Sequence, residues 1–289
     1  MSKKTVLTIA VVILSLPLMF YSWRISLRPP RTEIEQSLAA GIDYQRQIYS
    51  QPRPYIAHIV TIDLTNQAIA AFVTPIVAQS HQSEFGRDEY SALTTSSFVR
   101  QFDLKLAVNG SFFYPFAENT PWSFYPHQKD RAIALGENVV RGKRYGKKEK
   151  LWNVLCLNQK AEISLTQTCP ESTYSGIAGR ELLVKDGKLV TNDESKAYAR
   201  TSVAVNRQGT KLWLIVVDGK QLSYSEGATL TELAEIAINL GGDRAINLDG
   251  GGSTTLVARQ NERIKILNAP IHTKIPMRER PVANHLGFR

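Results

Sequence analysis

A chain of 289 residues can bury a substantial core and has room for one large domain or two small ones. Its 43% hydrophobic and 21% charged residues make an ordinary globular composition. The formal net charge of +9 is concentrated at Lys3, Lys4, Arg24, Arg28 and Arg31 and in a Gly- and Lys-rich segment from Arg141 to Lys150, and no helix-turn-helix or RNA-binding signature accompanies it; a nucleic-acid partner is excluded on that pattern.

Lys3 and Lys4 precede an apolar run from Val6 to Trp23, broken only by Thr8, Ser15, Pro17 and Ser22. Residues 1–30 therefore read as a targeting segment. The bulky Tyr21-Ser-Trp-Arg24 offers no small-x-small cleavage site, which favours an uncleaved signal-anchor with the rest of the chain on the extracytoplasmic side. Secretion after cleavage is the alternative. Residues 31–54 place Ile34, Leu38, Ile42 and Ile48 among polar residues, a weak helical pattern that predicts a spacer. From residue 55 to 289 the elements read as one catalytic domain. Tyr55 to Leu64 is a strand, with His58 as a packed or surface residue, and Ala68 to Thr74 is expected to return as its hairpin partner. Ser91 to Phe102 reads as a short helix with Leu93, Phe98 and Val99 inward. Leu104 to Asn109 is a strand delivering Asn109-Gly110 at its end. Phe112 to Tyr125 is rich in aromatics and broken by Pro115 and Pro121, so it forms a stiff loop suited to stack on a sugar or cover a site.

Cys156 and Cys169, with no Cys-x-x-Cys spacing, are expected to form a disulfide in an exported domain. Arg200 to Asn206 and Lys211 to Asp218 form the clearest hairpin, which brings Arg200 and Asp218 to one end of a sheet. Thr229-Leu-Thr-Glu232 is a capping box opening a helix through Leu240, ended by Gly241-Gly242. The strand that follows makes the order strand, helix, strand, a parallel crossover. The fold class is thus α+β, a mixed β-sheet core with flanking helices.

That last strand runs into Ala245-Ile-Asn-Leu-Asp-Gly-Gly-Gly-Ser-Thr-Thr-Leu-Val257. At the period of a strand, Asn247 and Asp249 share one face, beside a backbone without Cβ atoms that a polar ligand can approach closely. No zinc-protease helix, nucleophile elbow or phosphate loop is present, and five scattered histidines form no metal cluster. A divalent cation near Asp249 is compatible with the carboxylates, but no ligand spacing argues for one, so no cofactor is expected. What remains is carboxylates (Asp218, Glu226, Asp249), amides (Asn109, Asn247, Asn284) and cations (Arg200, Lys220, Arg280), a set suited to sugar and phosphate chemistry.

Taken in order, Ala107-Val-Asn-Gly-Ser-Phe-Phe113, Ala199-Arg-Thr-Ser-Val-Ala-Val205, Val217-Asp-Gly-Lys220, Tyr224-Ser-Glu-Gly227, Thr229 to Ala234, Asn247 to Thr255 and Arg280-Pro-Val-Ala-Asn284 resemble the phosphodiester glycosidase family, which includes exopolysaccharide-associated bacterial relatives. Lys220 stands where arginine is common in that family, and Ser111 where glycine is common. The resemblance implies hydrolysis of a sugar-1-phosphodiester in the cell envelope. It implies Asp249 as nucleophile or electrostatic stabiliser, Asp218 as acid/base, and Arg200 and Arg280 on the phosphate. The amides of Gly250, Gly251 and Gly252 would help as an anion nest. Asn109 and Asn284 would orient sugar hydroxyls, with Gly110, Lys220, Glu226, Asn247, Ser253 and Thr254 lining the substrate. A catalytically silent envelope protein that binds sugar phosphates or polysaccharide is the competing reading. Oligomeric state is not read from the sequence.

Overall fold

The computed structural model describes residues 3–79, 86–158, 160–190 and 196–289, with side chains in the first helix described from Ser15 onward. Three antiparallel-paired sheets carry the fold. The largest has eight strands in the order 34–39, 42–49, 55–63, 211–217, 200–205, 244–247, 182–185 and 188–189. A five-stranded sheet follows the order 263–266, 256–260, 106–109, 285–288 and 71–73, and a second five-stranded sheet is built from 138–179.

Alternation explains the layering. In Tyr55–Asp63, Val60 and Ile62 point into a core shared with the five-stranded sheets, where they meet Leu106, Val108, Leu155 and Leu286. Ala57 and Ile59 point the other way, towards the helix α3 (Leu230–Asn239) and its Leu230, Leu233, Ala234 and Ile236. A sheet covered on both faces has near-continuous apolar strands, and Lys211–Val217 is such a strand. The Thr229–Glu232 capping box opens α3 as the sequence predicts. The strands 211–217 and 244–247 both pair antiparallel with 200–205, so they run parallel to each other, with α3 as the crossover. A second helix, α2 (Thr95–Gln101), packs Phe98 and Val99 on the outer face of the first five-stranded sheet. The architecture is α+β. Cys156 and Cys169 are joined, with Cα atoms 5.6 Å apart.

Two local expectations are corrected. Residues 31–54 are not a helical spacer: Ile34–Ala39 and Ile42–Tyr49 form a hairpin on the edge of the large sheet. Ile42, Tyr44 and Arg46 are buried in alternation, so a two-residue period prevails over the weak helical one, and Gly41 at φ +78° turns the chain. Nor does 68–74 return beside 55–63; Ala71–Val73 pairs with His285–Phe288 in the other sheet, where Phe72 joins the Phe98 cluster.

The expected anchor over 1–30 falls partly on residues 1–14, whose side chains lie outside the described residues. The helix α1 spans Lys3–Ser26, and among the described residues no helix is long and apolar enough to cross a membrane.

Candidate active site

The chain passes from the large sheet to the five-stranded one through 248–255, and the glycine-rich loop lies at this junction. Three hydrogen bonds pin it to strand ends from both sheets. Asp249 N–H donates to Gly110 O at 3.0 Å, Gly251 N–H to Ala199 O at 2.8 Å, and Asn109 Nδ2 to Asp249 O at 2.6 Å. Gly251 has φ +62° and opens a single 3₁₀ turn through Ser253.

The glycines make room for two cations. A Cβ on Gly251 would stand 3.3 Å from Lys220 Nζ, and one on Gly252 would overlap the Arg280 guanidinium. Lys220 and Arg280 therefore sit in contact with bare backbone on the loop carrying Asp249. The Asp249 carboxylate accepts from Gly250 N–H at 2.9 Å, and the Ser253 hydroxyl beside it favours the anion. Asp249 is half-buried, with part of the residue open to solvent. Burial pushes its carboxyl up to about 6, outweighing Ser253, Arg280, the Gly250 amide and Lys220, which all favour the anion. Lys220 is drawn below the usual lysine range by burial and by Arg280, against the opposing pull of Glu118 and Asp249.

Arg280 is the hub. It donates to Ser253 Oγ at 3.2 Å, to Glu118 Oε2 and from Nε to His272 Nδ1 at 3.3 Å, and its guanidinium lies 4.5 Å from the centre of the Phe116 ring. For Glu118, burial pulls upward, but Arg280, the Thr273 N–H, His272 and Lys220 together hold it below the usual carboxylate value. His272 is buried, and burial plus Arg280 push it down to about 4, so it is neutral at physiological pH. Because Nδ1 accepts from Arg280, the proton sits on Nε2, which has no hydrogen-bond partner among the described residues. Arg200 and Lys220 both lie over the Tyr198 ring, at 5.4 and 5.7 Å, and Arg200 also donates to Ala228 O and Lys196 O. Phe116 and Phe124, from the aromatic loop, roof Arg280 and His272.

Asp249, Lys220, Arg280, Ser253, the three glycines and, through Tyr198, Arg200 are thus brought together as expected. Other expected residues serve the fold. Asp218 is 1% exposed, and its carboxylate accepts from His58 Nε2 at 2.9 Å, Asn268 Nδ2 at 3.0 Å and Ala269 N–H at 2.7 Å. Enclosed in this way, Asp218 is held among partners from the fold and away from solvent, which speaks against the expected acid/base role. Asn109 is fully buried, its Oδ1 taken by Thr201 Oγ1 and Thr255 N–H. Asn284, equally buried, accepts from Ser111 N–H and donates to Asn138 Oδ1, with Gly110 packed so tightly against it that no Cβ would fit. Both amides are buried and engaged by protein partners. Asn247 donates to Glu181, Thr254 accepts at its carbonyl from Asn268, and Glu226 donates its N–H to Pro54 O. Glu118, His272 and Tyr198 were missed by sequence reasoning. Their only signal was a carboxylate inside the aromatic loop.

The profile of the phosphodiester glycosidase family matches residues 102–289, more than half of the chain. The chain belongs to the phosphodiester glycosidase family. The residues gathered at the candidate site, from Glu118 to Arg280, fall within the matched stretch. No curated protein matches the chain by sequence. Among solved structures it is similar to the catalytic domain of zebrafish N-acetylglucosamine-1-phosphodiester alpha-N-acetylglucosaminidase, auto-inhibited by its pro-peptide. The TM-score is 0.61 at 18% identity, covering 92% of each chain. A Synechocystis protein aligns with a TM-score of 0.57 at 16% identity over 90% of this chain, which spans 64% of that structure's length. At these identities the likeness is one of fold.

Proposed function

We propose that the protein hydrolyses a sugar-1-phosphodiester, breaking the bond between the anomeric carbon and the phosphate oxygen and yielding a free sugar and a phosphomonoester. The observation that carries this reading is the gathering of one carboxylate of raised pKa, Asp249, with Lys220 and Arg280 on a loop whose glycines admit both cations. A phosphate leaves well without strong acid help, so the site's main task is to neutralise charge and steady an oxocarbenium-like transition state. Lys220 and Arg280 hold the phosphate, with Arg200 beside Lys220 on the Tyr198 ring. Above pH about 6 Asp249 is ionised and faces the anomeric carbon as nucleophile or electrostatic stabiliser. Glu118 keeps Arg280 in place. Lys3, Lys4 and the apolar run behind them support α1 as a membrane anchor, and with the disulfide they support an extracytoplasmic site.

The test is release of free sugar from nucleotide-sugars and simple sugar-1-phosphodiesters by the full chain, with a chelator arm to register any divalent ion. Turnover of uncharged aryl glycosides at the same rate would sink the phosphodiester reading. Binding without turnover would leave a sugar-phosphate receptor instead.

A further inference from the structure

From Leu16 to Leu27, α1 and its exit expose Leu16, Leu18, Met19, Phe20, Tyr21, Trp23, Ile25 and Leu27, on every side of the helix. A helix apolar all round needs a lipid or protein environment, since water contact on each face is unfavourable. Its sequence says which. Phe20, Tyr21 and Trp23 make an aromatic belt of the kind found where a helix leaves a bilayer, and Arg24, Arg28 and Arg31 follow it as a cationic collar at the interface.

The collar is bonded to the loops that build the site. Arg24 Nε donates to Pro276 O at 2.9 Å, on the hairpin that carries His272. Arg31 Nη1 donates to Ser223 O, the Tyr224 hydroxyl to Pro29 O, and Arg28 lies 5.0 Å from the Tyr224 ring; all three fix the Lys220–Ser225 turn. No spacer intervenes, because residues 34–49 are strands of the large sheet. Trp122 adds a second apolar point. It is 81% exposed at the tip of the aromatic loop, which Arg278 holds by donating to Pro121 O at 2.6 Å.

We infer that the site works against the bilayer surface, on a sugar-1-phosphodiester whose other phosphate substituent is itself embedded in the membrane. This rests on the hydrolase reading above. An enzyme tethered this tightly meets membrane-borne substrate at high effective concentration and gains nothing towards substrate in bulk water.

The experiment uses the full chain reconstituted in vesicles of phosphatidylethanolamine and phosphatidylglycerol. It compares a sugar-1-phosphodiester on a long isoprenoid chain in those vesicles with a water-soluble analogue carrying the same sugar and phosphate. The lipid-linked substrate should turn over at least about tenfold faster at equal total concentration, and detergent should abolish the difference. Trp122→Ser, at an exposed tip, should lower the lipid-linked rate several-fold and leave the soluble rate unchanged. A long Gly/Ser insertion between Ser26 and Leu27 should do the same. Equal rates on both substrates, or an advantage that survives both changes, overturn the inference while leaving the hydrolase intact. Failure to cleave either substrate overturns the hydrolase reading, and this inference with it.

Discussion

Asp218 and Asp249 stand at the same end of one sheet, just beyond strands that run parallel with a single strand between them, yet their surroundings differ completely. Asp218 is closed off: His58, Asn268 and the Ala269 amide occupy its oxygens, the Tyr44 hydroxyl lies 2.9 Å from the other nitrogen of His58, and the Asp218 carbonyl accepts from Ser225. Asp249 accepts from its own loop and otherwise faces Lys220 and Arg280 without a direct ion pair between them, on ground partly open to solvent. One carboxylate has spent its hydrogen-bonding capacity on the fold. The other retains unfilled capacity next to cations. Partners, rather than position at a strand end, separate a group that holds structure from one that meets substrate.

Asp249→Asn should give the largest effect. Loss of the anion should cut kcat/KM for a sugar-1-phosphodiester by about 10³-fold or more, measured by free-sugar release. Stability should move the opposite way. The folded-state value of about 6 lies above the ordinary carboxylate value, so the wild-type benefit is complete below pH ~4 and is lost as pH rises through about 6. The variant should therefore be more stable than wild type at pH 8, by about 1–3 kcal/mol, and equal to it near pH 4 in urea melts. A variant less stable at pH 8 would move Asp249 into the class of Asp218. For Asp218→Asn the expectation reverses. Breaking the buried contact with His58 should cost about 2–4 kcal/mol in the same melts, and the remaining folded molecules should keep kcat/KM within about tenfold.

The contrast between the two aspartates was not legible in the sequence. The hairpin 200–218, the capping box, the crossover and the glycine loop were read correctly because their signals are local. Asp218 looked catalytic because its partners are remote: His58 lies 160 positions away and Asn268 lies 50. Asn109 and Asn284 misled in the same way, since Thr201 and Asn138 close on them from other sheets. Glu118 and His272 carry no motif, and only folding brings both against Arg280. The strands at 34–49 failed for a different reason. Ile34, Leu38, Ile42 and Ile48 satisfied a helical spacing loosely, and the buried alternation of Ile42, Tyr44 and Arg46 was masked by the polar character of Arg46.

Gly252→Ala probes the ground on which the cations stand. The new methyl would displace the Arg280 guanidinium from Ser253 and from the loop, without touching the Asp218 network. A fall in kcat/KM of about 10- to 100-fold is expected, with the melting midpoint nearly unchanged. If activity survives while stability falls, Arg280 belongs with the fold and not with the phosphate.

The finest division concerns Lys220, where the arginine variant should show the smallest change of all. It stands at a left-handed φ of +60° on the turn after Asp218 and reaches over Gly251, so its charge is presented at the site while its backbone is set by the Asp218 side. Burial and Arg280 both disfavour its ammonium, and a lowered lysine loses its proton at lower pH than usual. If that charge binds phosphate, kcat/KM should decline on the alkaline side before the ordinary lysine range is reached. Lys220→Arg keeps the charge at all working pH values and supplies a bidentate fork. It should hold activity within about threefold at neutral pH and remove the alkaline decline, whereas Lys220→Met should lose about 100-fold throughout. The decisive reading is the shape of the alkaline limb. A limb that persists unchanged in the arginine variant assigns it to another group, and leaves Arg280 and Arg200 to carry the phosphate without Lys220.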